Sequence, residues 1–143
     1  MVNTFRHVMH CVYDMARTRK FYEDVFDFRL VREHPRRNDP DWLAAVAKIL
    51  RMPEPFEINV TFMELDGSVL EFVEFPIHGT AAYHDWVTNR PGLGYVSIGV
   101  TDIDDVKEKV RKAGGEVLDD TLVGSGVMVK DLDGQVIEVV QDH

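Results

Sequence analysis

Two stretches of this chain repeat one pattern of apolar and polar positions. Leu65-Asp66-Gly67-Ser68-Val69-Leu70-Glu71-Phe72-Val73 and Leu132-Asp133-Gly134-Gln135-Val136-Ile137-Glu138-Val139-Val140 each place a turn ahead of an apolar run holding one glutamate. Asp-Gly predicts the turn, because glycine accepts positive φ. The β-branched and aromatic residues that follow predict a strand. A carboxylate inside such a strand is costly to bury unless something pairs with it.

The same reading orders the rest of the chain. Phe5 and His7–Tyr13 predict a strand, and Asp14 an N-cap for a helix to about Phe26. Thr18, Phe21, Tyr22, Val25 and Phe26 lie on one face of that helix. Residues 28–32 predict a second strand. Residues 34–56 interrupt the pattern with a polar loop and an apolar helix, Trp42 to Met52, opened by Asp39-Pro40 and stopped by Pro53 and Pro55. Strands are expected at 57–65 and 69–75, then a linker at 76–92 with a helical turn over 83–87. Another strand follows at 94–101, then a helix capped by Asp102 and ended by Gly114-Gly115, and strands near 116–119, 126–130 and 135–141.

The order is β-α-β-β-β twice. An offset of 88 residues lays Val8 on Val96, Val12 on Val100 and Asp14 on Asp102, whereas an offset of 67 lays Glu71 on Glu138. The difference of 21 matches the loop and helix at 34–56, which therefore read as an insert in the first half. The expected fold is α+β. Two tandem β-α-β-β-β modules, about 4–75 and 93–143, are related by a pseudo-two-fold and form one cleft within a single 1–143 domain.

Composition narrows the partners. Net charge is −9, which argues against nucleic acid or an anionic membrane surface. No apolar run approaches the roughly 20 residues of a membrane helix. No secretory signal is legible, and a single cysteine, Cys11, fits a reducing compartment, so a cytoplasmic location is expected.

In a repeat of this kind, matching strand positions converge. His7 and Tyr95 match in the first strands, and Glu71 and Glu138 in the last. One imidazole and two carboxylates make a reasonable ligand set for a divalent metal with open positions for substrate. Strand alternation puts His7, Met9 and Cys11 on one face and His10 on the other.

The segment His7-Val8-Met9-His10-Cys11-Val12-Tyr13-Asp14 with Phe21-Tyr22, and the segment Asp131-Leu132-Asp133-Gly134-Gln135-Val136-Ile137-Glu138, resemble the vicinal oxygen chelate superfamily. This superfamily includes glyoxalase I, methylmalonyl-CoA epimerase, extradiol dioxygenases, fosfomycin-resistance transferases and bleomycin-binding proteins. The resemblance covers nearly the whole chain and implies metal-ligand positions at His7, Glu71, Tyr95 and Glu138. Tyr95 departs from the pattern, because a neutral phenol, of reference pKa about 10, is a poor ligand. Three readings stay open: Tyr95 coordinates as phenolate, it hydrogen-bonds substrate, or the metal is absent.

The expected activity is a divalent-metal-dependent isomerase, epimerase or lyase of the glyoxalase type. It acts on a small carbonyl or diol compound through a metal-stabilised enediolate. The metal is Zn, Ni, Mn, Co or Fe, held by His7, Glu71 and Glu138. Glu138, Glu71 and Tyr95 are the catalytic candidates, with Glu138 preferred as base. Met9, Cys11, Trp42 and Tyr95 are expected to line the substrate pocket. The alternative is a metal-free, antibiotic-sequestering binding protein. Extradiol cleavage ranks lower, because it needs two histidines at ligand positions. The insert helix reads as a lid, a dimer contact or a cover, and the resemblance suggests a homodimer. Arg32, Arg36 and Arg37 read as a solvated run or an anion grip.

Overall fold

The computed structural model describes residues 2–34, 38–82 and 85–142. The expected helical turn at 83–87 falls partly outside these residues, as do Arg36 and Arg37; Asp85–Val87 is not helical. The elements run β1 (Val8–Cys11), α1 (Met15–Phe26), β2 (Arg29–Glu33), α2 (Pro40–Leu50), β3 (Asn59–Leu65), β4 (Ser68–Glu74), β5 (Val96–Val100), α3 (Ile103–Lys112), β6 (Glu116–Val123), β7 (Gly126–Lys130) and β8 (Val136–Gln141). They form two sheets of identical topology, ordered β1-β4-β3-β2 and β5-β8-β7-β6. This is the expected α+β duplication. The first strand is shorter than expected, and Phe5 lies exposed ahead of it.

The register makes the repeat physical. β1 pairs parallel with β4, setting Met9 opposite Glu71. β5 pairs parallel with β8, setting Ser97 opposite Glu138. The two offsets read from sequence are thus reproduced in one pair of rungs.

The two Asp-Gly turns differ. Asp66 and Gly67 both take positive φ, 47° and 78°, and join β3 to β4 as a two-residue hairpin with Leu65 opposite Ser68. That is the type I′ geometry such a loop prefers. In the second half Lys130 pairs with Val136, so the connection is a five-residue loop. Asp131 organises it. Its Oδ1 accepts from the Asp133 and Gln135 backbone N–H groups, both at 2.9 Å.

The described residues divide into two compact units, 1–16 with 28–81, and 17–27 with 82–143. Packing departs from sequence order in α1, most of which belongs to the second unit. There the Tyr22 hydroxyl donates to Asp131 Oδ2 at 2.8 Å, and the Thr18 hydroxyl donates to Asp133 at 3.2 Å. Burial, reinforced by the adjacent Asp131 charge, pushes the Tyr22 phenol well above its ordinary pKa.

The insert resolves into α2 and its flanks. Asp39 caps the helix by accepting from Asp41 and Trp42 N–H, with Pro40 at the first helical position. Arg51 ends it in the left-handed conformation. Ala47 is buried in a cluster with Phe56, Ile58, Val60, Phe62, Val73 and Phe75, and Trp42, Leu43, Val46, Leu50 and Met52 pack against it. The 3.6-residue stripe of the helix therefore covers one face of the first sheet. His78 Nε2 sits 2.9 and 2.7 Å from the Pro53 and Pro55 carbonyl oxygens and ties down the exit.

Candidate functional site

In the first unit, alternation and register put Met9, Glu71 and Phe62 side by side on one sheet face. His7 lies two residues ahead of Met9. Its Nε2 meets Glu71 Oε2 at 2.6 Å, with the side chains 32% and 18% exposed. This contact gives the strand glutamate the partner that its apolar setting demands. The His7 ring also meets the Phe62 edge at 5.3 Å between centroids. Val69 and Val73 share the Glu71 face by alternation, and both belong to the layer under α2.

In the second unit Glu138 has a different partner. Its Oε2 accepts from the Ser97 hydroxyl at 2.6 Å. Ser97 was not singled out from the sequence, although the 88-residue offset that matches His7 with Tyr95 also matches Met9 with Ser97. Tyr95 precedes β5 and is 43% exposed. The structure thus shows two glutamates at equivalent rungs, one held by an imidazole and one by a hydroxyl.

The expected pocket residues divide in role. Met9 is exposed on the His7 face. Cys11 follows on the same face, its thiol 3.8 Å from the Thr80 hydroxyl oxygen. Trp42 packs in the α2 layer and stacks on His34 at 4.2 Å and 23°. His10 points to the opposite face and meets the Phe72 edge at 5.7 Å, so β1 offers one imidazole to the Glu71 face.

The donor chemistry of the His7–Glu71 pair suits two positions on a divalent cation. Among the described residues, no group of three or more His, Cys, Asp or Glu side chains stands together as a metal cage. No helix among them is long and apolar enough to cross a membrane.

A family model described as the Glyoxalase/Bleomycin resistance protein/Dioxygenase superfamily matches residues 4–139. Lactoylglutathione lyase of Haemophilus influenzae is 30% identical over 141 residues, covering 95% of this chain and 90% of that protein. Lactoylglutathione lyase GLX1 of Arabidopsis thaliana is also 30% identical over an alignment of 144 positions, covering 96% of this chain and 44% of that protein. The chain therefore spans less than half of the plant protein. A glyoxalase family protein from Bacillus cereus superposes with a TM-score of 0.78 at 18% identity, covering 99% of this chain and 95% of that one. Leishmania major glyoxalase I superposes at 0.68 and 21% identity, covering 98% and 87%. At these identities the solved structures establish the shared fold.

Proposed function

Since the chain belongs to the Glyoxalase/Bleomycin resistance protein/Dioxygenase superfamily, we propose that it is a glyoxalase-type lyase or isomerase acting on a small carbonyl compound. The observation that carries this reading is the His7–Glu71 contact of 2.6 Å on a partly covered sheet face. Two relatives named lactoylglutathione lyase add support for the reaction class.

In this reading Glu138 moves the proton. A carbon next to a carbonyl is acidic enough for a positioned carboxylate to take its proton and return it to the neighbouring carbon. The Ser97 hydroxyl, which donates to Glu138 Oε2, fixes the carboxylate for that task. His7, Glu71 and Glu138 are proposed as ligands of a divalent metal, one of Zn, Ni, Mn, Co or Fe. Such an ion, when bound, supplies Lewis-acid stabilisation of charge developing on the substrate oxygen. His7 and Glu71 hold each other in place for that role, and the α2 layer excludes water from one end of the face. Tyr95 is proposed as a hydrogen-bond donor to substrate. A homodimer in the cytoplasm completes the proposal, and sedimentation of the purified chain tests its assembly.

The experiment is metal analysis coupled to turnover. Protein stripped with chelator and incubated with each of the five metals is expected to retain one ion and to convert methylglyoxal and glutathione to S-lactoylglutathione. Glu71→Gln and His7→Ala are expected to lose both metal and activity. Wild-type protein that retains no metal and shows no turnover refutes the enzyme reading.

The Ser97–Glu138 hydrogen bond and the two-donor count at His7 and Glu71 favour a second reading, metal-free small-molecule binding. Ligand retention unchanged by chelator, without turnover, would select it.

A further inference from the structure

β2 contains a register shift. Arg29 faces Glu64 and Leu30 faces Met63, but the next pair is Arg32 with Phe62, followed by Glu33 with Thr61. One residue, Val31, is extra. Without it, Val31 would stand opposite Phe62, and Arg32 would point to the other side of the sheet. A one-residue slip exchanges the two faces of a strand, and a bulge is the usual device for re-aiming a single side chain. Here the bulge turns Arg32 onto the face of His7 and Glu71. The guanidinium lies over the Phe62 ring, 4.6 Å from its centroid.

Met9, Glu71, Phe62 and Arg32 consequently form one row across the four strands. Phe62 is the shared spacer, with the His7 ring at its edge and Arg32 above it. The guanidinium carbon is no farther from the imidazole centre than the sum of those two contacts, a span bridged by one small molecule. Charges nearby are already matched. Glu71 meets His7, and Glu64 accepts from Arg29 Nε at 2.7 Å. Among the described residues Arg32 meets no carboxylate, and its side chain is exposed at the end of the row.

We propose that Arg32 is the specificity residue of this face and selects a carbonyl substrate that carries an anionic group, a carboxylate or phosphate. The anion sits on the guanidinium fork while the reacting carbon lies toward His7 and Glu71. A guanidinium presents planar, paired donors to such groups, and stacking on Phe62 holds that plane in advance. This inference rests on the proposed lyase or isomerase reading for what lies at the other end of the row.

The test compares S-lactoylglutathione with its dimethyl ester, which differ in carboxylate charge, in equilibrium dialysis against wild-type, Arg32→Met and Arg32→Lys protein. Wild-type protein is expected to bind the diacid about tenfold or more tightly than the ester, the scale of a charge-assisted hydrogen-bond pair. Arg32→Met should bring the ratio near one through loss of diacid affinity, and Arg32→Lys should keep part of it. Wild-type protein that binds neither compound, or both alike, overturns the proposal. So does an Arg32→Met protein that keeps the wild-type ratio. Turnover is scored separately. A charge preference without turnover overturns the lyase reading and leaves Arg32 in place; turnover without a charge preference does the reverse.

Discussion

Replacing Tyr22 by phenylalanine removes one oxygen from the centre of the second unit. That oxygen donates to Asp131 Oδ2 at 2.8 Å, and both residues are buried, with 1% and 7% exposure. The other carboxylate oxygen of Asp131 remains occupied by two backbone N–H groups. The loss is therefore one hydrogen bond to a carboxylate, with the acceptor left in place and shielded from water. Such a bond contributes about 1.5–3 kcal/mol. The phenyl ring keeps its edge contact with Phe21, so the apolar contribution is largely retained.

Urea unfolding should show a loss of about 2 kcal/mol at unchanged slope, with a melting temperature lowered by roughly 5–8 °C for a chain of this size. The pH dependence gives an independent check. The folded-state pKa of Tyr22 is raised, so folded protein keeps that proton when the unfolded chain begins to lose it, near pH ~10. The unfolded state then binds fewer protons, and stability falls as pH rises. The contribution is fully present below the unfolded pKa and disappears toward the folded one. Tyr22→Phe should flatten this alkaline decline. A variant within 0.5 kcal/mol of wild type, on the order of an ordinary surface change, with the alkaline slope intact, would refute the assignment of Asp131 as a structural acceptor.

Other expectations follow from single contacts. Gly115→Ala places a Cβ 2.7 Å from the Lys130 carbonyl oxygen and 2.9 Å from Phe21 and Val110, so calorimetry should register a loss of about 1–3 kcal/mol. Ala47→Leu overfills the layer between α2 and the first sheet, with a similar loss and faster proteolysis of the α2 segment. Ser97→Ala frees Glu138 of its hydroxyl donor. In the proposed enzyme it should lower kcat, on the order of tenfold for one misplaced catalytic group, while leaving unfolding nearly unchanged, because the bond is exposed. Glu138→Gln is expected to abolish turnover without altering the circular dichroism spectrum.

The family signature Asp131-Leu132-Asp133-Gly134 was legible as a motif, but its meaning was not. The sequence suggests a second copy of the Asp66-Gly67 turn. The structure shows a longer loop in which Asp131 gathers two backbone donors and the hydroxyl of Tyr22, 109 residues away. Ser97 was reachable, because the 88-residue offset that matches His7 with Tyr95 also matches Met9 with Ser97, the residue opposite Glu138. Arg32 was visible as a charge but not as a residue of the Glu71 face, because its facing depends on a bulge that leaves no composition signal.

Apolar period, turn residues and internal repeat determined the duplicated α+β order, the strand homes of Glu71 and Glu138, and the insert at 34–56. These are local properties, fixed by side-chain alternation and backbone preference within a few residues. Tertiary structure alone decided that α1 packs with the second unit, that α2 covers a sheet face, that His7 meets Glu71 while Glu138 meets Ser97, and that Arg32 joins the row of Glu71 and Phe62. Each of these depends on the register between strands or on a contact between distant segments. A slip of one residue, invisible in the hydropathy pattern, exchanges one face of a strand for the other.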